Sequence, residues 1–115
     1  MLVKVLNNRD VLVETNNFGT QNENNIEELV FEIPEAYNEF DKEIVFITPD
    51  GNLSKEIIDD IYVFENDITI YNNIKAYIRC YNSETEEDFR SKIFDVKFYK
   101  NENATDEIPE ETQIN

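Results

Sequence analysis

The chain reads as an all-β protein, an Ig-like antiparallel β-sandwich of about seven to eight short strands followed by an acidic C-terminal tail. Three observations predict it. Apolar and polar residues alternate with a period of two over several short segments, turn residues recur between them, and no long stretch carries the 3.6-residue apolar period of an amphipathic helix. The sandwich is expected over residues 1–100 and the tail, a linker or docking segment, over 101–115.

Taken in order, Val11-Leu12-Val13-Glu14 predicts a first strand. Leu29-Val30-Phe31-Glu32-Ile33 predicts a strand with Leu29, Phe31 and Ile33 on one face, stopped by Pro34, which has no N–H for a ladder. A single helical turn fits Glu35 to Phe40. Ile44-Val45-Phe46-Ile47 is continuously apolar, the pattern of a strand covered on both faces, and Thr48-Pro49-Asp50-Gly51-Asn52 supplies the turn after it. Ser54 to Asp60 reads equally as a short helix or a strand. Ile61-Tyr62-Val63-Phe64 and Ile68-Thr69-Ile70 predict further strands.

The clearest signal is Ile74 to Tyr81, where Ile74, Ala76, Ile78 and Cys80 share one face while Lys75, Tyr77, Arg79 and Tyr81 share the other. The last strand is expected within Phe89 to Tyr99, with Phe94, Val96 and Phe98 opposite Asp95, Lys97 and Tyr99. With only Gly19 and Gly51 available, the pairs Asn7-Asn8, Asn16-Asn17, Asn24-Asn25 and Asn72-Asn73 are the expected tight turns, because asparagine tolerates the left-handed backbone.

Composition narrows function. There is no histidine, so no side chain titrates near neutrality unperturbed and no imidazole can ligate a metal. One cysteine permits neither an internal disulfide nor a Cys-rich zinc site. Inside an apolar strand, Cys80 is expected to act as a small buried hydrophobe in a reducing compartment. Twenty-six acids against ten bases give a formal net charge of −16, which argues against nucleic acid and anionic membranes as partners. No apolar run reaches the ~20 residues of a spanning helix, and the Met1 to Leu6 opening turns polar too soon for a leader. The chain is therefore expected to be made in a cytoplasm, to be no enzyme, and to hold no cofactor or metal.

Three acidic groups bear on chemistry. Glu84-Thr85-Glu86-Glu87-Asp88 has the oxygens for a hard cation but not the spacing of an ion loop, and reads as a solvated hairpin tip. Asp50-Gly51-Asn52 lacks the closing carboxylate of a calcium loop. Asp59-Asp60, read as neighbours on a strand, would point to opposite faces and could not flank one glycosidic bond without help from Glu14 or Asp67. The tyrosines Tyr62, Tyr71, Tyr77, Tyr81 and Tyr99 are either sheet filling, a sugar platform or an intersubunit contact. The candidate interface residues are Tyr77, Tyr81 and Tyr99, with Ile108 and Ile114 in a tail that holds five acids and no base.

Gly19-Thr20-Gln21-Asn22-Glu23-Asn24-Asn25, followed by Leu29-Val30-Phe31-Glu32-Ile33-Pro34-Glu35, resembles the opening of the N-terminal domain of phage baseplate upper proteins. Glu35 to Lys42 with Ile44-Val45-Phe46 continues the resemblance, and Asn101 to Ile108 is similar to that domain's boundary with a coiled-coil stalk. The resemblance implies a sandwich domain of a tail or baseplate protein from a Firmicute phage, one that anchors a receptor-binding or fibre component in the virion and works as a trimer beside other virion proteins. The chain ends at Asn115, where the family begins its stalk, so either a stalk is missing or the chain is a stand-alone relative that decorates the particle. Other readings stay open: a carbohydrate-binding module for host glycans, an acidic mimic that binds a basic host protein, or a carboxylate enzyme.

Overall fold

Alternation decides which side chains are buried, and the buried set comes from two sheets facing each other. The computed structural model describes residues 1–15 and 17–100. Ten strands lie among them: β1 Leu2–Val5, β2 Val11–Val13, β3 Asn17–Thr20, β4 Glu28–Glu32, β5 Asp41–Thr48, β6 Gly51–Glu56, β7 Ile61–Val63, β8 Asn73–Asn82, β9 Glu87–Arg90 and β10 Phe94–Tyr99. One sheet runs β2-β1-β4-β7. The other runs β3-β10-β8-β5-β6, with β9 beside β10 on the same edge of β8.

The protein is thus the expected β-sandwich, with more strands than the seven or eight anticipated. Pairing is mostly antiparallel, but β1 runs parallel to β4 and β3 runs parallel to β10. The β3–β10 pair shifts register between Lys97 and Tyr99, with Gly19 at φ +140° inside the irregularity. A Cβ there would lie 2.9 Å from both Glu23 Oε1 and Glu27 Cγ, so a side chain would have to displace both glutamates, and the positive φ disfavours it in any case.

Val3, Val5, Leu29, Phe31 and Tyr62 from the first sheet meet Ile44, Phe46, Ile74, Ala76, Ile78, Cys80, Val96 and Phe98 from the second. Phe64 is the hub: its ring lies 5.2–6.0 Å from those of Phe18, Phe46, Tyr62 and Phe98, mostly edge to face. Cys80 is fully buried, and burial pushes its thiol up to about 11.

Several expectations are corrected. Ile68-Thr69-Ile70 is not a strand. Asn66–Thr69 forms a short helix, α1, with Ile68 and Thr69 buried and Ile70 turned outward; the Thr69 hydroxyl donates to the Glu23 carbonyl. Phe89 to Tyr99 is two strands, because Ser91 exchanges bonds with Ile78: its N–H donates to the Ile78 carbonyl, and its hydroxyl accepts from the Ile78 N–H, each at 2.9 Å. The Ser54 to Asp60 segment is strand through Glu56 and then the turn of a two-residue hairpin. Asp59 and Asp60 are its left-handed pair, at φ 54° and 62°, closed by reciprocal bonds between Ile58 and Ile61. Of the described members of the asparagine pairs, only Asn25 takes a positive φ; Arg9 takes it in the turn that carries Asn7 and Asn8. The helical turn appears as the 3-10 segment Glu35–Tyr37. Among the described residues no helix is long and apolar enough to cross a membrane. The tail and its Ile108 and Ile114 lie outside the described residues.

Candidate interaction face

Strand β8 presents Lys75, Tyr77, Arg79 and Tyr81 outward because its other face is consumed by the core. Its neighbours bring acids and a second arginine into line. Cross-strand register sets Glu43 of β5 and Arg90 of β9 on either side of Arg79, and Asp41 and Asp88 on either side of Tyr81. The Arg79 guanidinium forks onto Asp88, with Nε to Oδ1 at 3.1 Å and Nη2 to Oδ2 at 3.0 Å, and its Nη1 donates to Glu43 Oε2 at 3.0 Å. Arg90 reaches the same Asp88 oxygen at 3.4 Å. Each guanidinium also covers a tyrosine: Arg79 lies 4.7 Å from the Tyr81 ring centroid and Arg90 lies 5.9 Å from that of Tyr77.

Two arginines around one carboxylate hold Asp88 down to about 2, with the Arg79 hydrogen bond as the larger cause. The same contacts raise Arg79. Glu43 stands directly opposite Glu56 of β6, a like-charge pair that Arg79 offsets from the other side. Beside this network, Asp41, Lys42, Glu43, Glu56, Arg79 and Tyr81 line an open hollow of about 300 Å³. Val45 pairs with Tyr77 across the strands and is buried although it belongs to the outer face, which accounts for the continuously apolar β5.

The structure therefore brings Tyr77 and Tyr81 together and leaves Tyr99 apart. Tyr99 is exposed at the far end of β10, roughly 30 Å from Tyr81 along the strand direction by the rise per residue. It borders a second hollow of about 350 Å³ with Asn17, Asn72, Asn73, Lys97 and Lys100. Tyr62 belongs to the core, and Tyr71 donates to Asp50 Oδ2 at 2.7 Å. Among the acidic groups, residues 83–86 form the hairpin tip between β8 and β9, ordered by Asn82 Oδ1 accepting from the N–H groups of Glu84 and Thr85, whereas Glu87 and Asp88 belong to β9 and Asp88 is held by Arg79 rather than solvated at the tip. Asp67 and Glu65 are held by Lys55, whose Nζ lies 2.5 Å and 3.2 Å from them.

Lys55 faces the core side of edge strand β6, opposite Ile44. An inward charge of this kind blunts an exposed edge against pairing with a further strand. Sequence reading did not single out Arg79, Asp88 and Arg90 as one network. Alternation alone placed Arg79 beside the tyrosines, but Asp88 and Arg90 needed the β8–β9 register.

No family model matches the chain, and no curated protein matches it.

Proposed function

We propose that the protein is a non-enzymatic structural component of a phage virion, an attachment or anchoring module of the tail or baseplate that works through protein–protein contacts. The observation that carries this reading is the Tyr77–Arg79–Tyr81–Arg90 face. Tyrosine and arginine are the side chains most enriched at contact energy hot spots, and here they are already aligned by cross-strand ion pairs on a rigid sheet. Pre-ordered side chains lose little entropy when a neighbour covers them. The arginine over each tyrosine also occupies the ring face that a sugar would stack on, which favours a protein neighbour over a glycan. The resemblance of the Gly19 to Glu35 segment to baseplate upper proteins supplies the setting.

The test is an antibody against the chain applied to purified particles of the phage that encodes it. Labelling at the tail tip is expected, with Tyr77→Ala plus Arg90→Ala lowering incorporation while the isolated domain, though less stable, remains folded by circular dichroism. Protein abundant in infected cells but absent from purified particles would refute the reading.

A further inference from the structure

The opposite side of the molecule carries a different surface. On the outer face of the four-stranded sheet, Leu2, Val30 and Ile61 lie in one cross-strand row: Leu2 pairs with Val30 and Val30 pairs with Ile61. Their relative exposures are 39%, 40% and 36%, and Leu12 on β2, in register with Lys4 further along the strands, is a further exposed apolar side chain. Together they expose roughly 300 Å², at the lower end of the range in which the largest patch of a monomer is commonly functional. The core does not require these residues, since Val3, Leu29, Phe31 and Tyr62 supply the inner face of the same strands.

One step along the strands, the next row holds Lys4 paired with Glu32, their charges separated by a long 3.8 Å. Because β1 and β4 run parallel, a two-fold axis placed between them and parallel to both exchanges the two strands of facing copies. Leu2 of one copy then covers Val30 of the other, and Lys4 covers Glu32, twice over. The face is complementary to itself in both shape class and charge, as an isologous contact must be.

We infer that this face docks a second copy of the chain, giving a two-fold dimer across the β1–β4 pair. The patch with Lys4 and Glu32 is smaller than the ~800 Å² per partner of a standard interface, so the dimer is a weak one. Four charges that are poorly paired within one copy become an alternating ring between two. The formal charge of −16 on each copy opposes association, so the contact belongs to moderate salt, where repulsion is damped beyond about 8 Å. This inference stands apart from the virion reading, since a dimer in solution and absence from particles are separate results.

The test is the mass of the full chain by light scattering at physiological salt, over roughly 10 μM to 1 mM, a range that spans weak dimers. A mass rising toward twice 13.6 kDa is expected. Val30→Glu should abolish the rise. Lys4→Glu and Glu32→Lys should each weaken association at least about tenfold, as facing like charges do. Mixed in equal amounts, those two variants should recover it, because each supplies the charge that the other lost. The mixing result does not depend on how Val30→Glu folds. A monomer throughout, a trimer, a dimer indifferent to Val30→Glu, or charge variants that fail to recover on mixing would each overturn the proposal.

Discussion

Removing a hydroxyl from the centre of this sandwich should make it more stable. Tyr62 is 6% exposed, packs against Phe46 and Phe64 at 5.8 Å and 5.3 Å, and among the described residues no group meets its hydroxyl at hydrogen-bonding geometry. Burial is the largest effect and raises the group well above the ordinary tyrosine range, with the Glu65 backbone, next in size, acting the other way. An unpartnered buried hydroxyl costs roughly 1–3 kcal/mol. Tyr62→Phe removes that cost and keeps the ring contacts. The expected gain is about 1 kcal/mol, or about 4–8 °C in Tm for a domain of this size. Urea and thermal melts at pH 7 read it directly.

The sign with pH is also fixed. A phenol raised in the folded state binds its proton more tightly there than in the unfolded chain. Its contribution to stability is therefore fully present below the unfolded value near 10 and is lost as pH climbs through the folded value. Tyr62→Phe should flatten that alkaline decline. A variant destabilised by more than about 0.5 kcal/mol would show that the hydroxyl is satisfied, by a buried water, and would refute the argument.

Four further outcomes follow from the same structure. Phe64→Ala should cost about 3–5 kcal/mol in urea melts, because the ring is 1% exposed and lies against four other aromatic rings. Asp60→Gly should stabilise by about 1 kcal/mol, since φ 62° suits glycine and the change also removes one of two adjacent like charges; a loss instead would mean that the aspartate side chain holds the turn. Carboxyl titration by NMR should place Asp88 near 2 and show it moving toward the ordinary range in Arg79→Lys. The stability it contributes should be complete above about pH 4 and fall away as the pH approaches 2. Cys80, fully buried with its thiol at about 11, should react with a thiol reagent at pH 8 only as fast as the protein opens, and added urea should accelerate that reaction.

What was legible in the sequence follows from where the physics is local. Strand β8 could be read residue by residue, because burial on one face imposes period-two alternation on its own ten residues. Strands β1 and β3 were not anticipated as strands, and β6 was left open between strand and helix from Ser54 on, each for a physical reason. In β3 only Phe18 points into the core. In β6 the inward positions are Leu53 and Lys55, so a charge stands where the pattern wants an apolar residue, and it is tolerated because Glu65 and Asp67 meet it from β7–α1. The opening Leu2-Val3-Lys4-Val5 alternates, but a four-residue strand gains meaning only from its parallel partner some 28 residues later.

The same limit governs the two surfaces. Sequence placed Tyr77 and Tyr81 on one face, since both sit on one strand. Asp88 and Arg90 joined them only through the β8–β9 register. The Leu2–Val30–Ile61 row draws one residue from each of three strands, and its members look like ordinary strand apolars until the sheet aligns them. Alternation in Leu29-Val30-Phe31 already required Val30 to face away from the core. Only the register shows that Leu2 and Ile61 on the neighbouring strands face outward beside it. Stability needs only one buried face per sheet, so a second apolar row adds little until something docks against it, and that makes this row, rather than the larger core, the part of the sequence that points outside the chain.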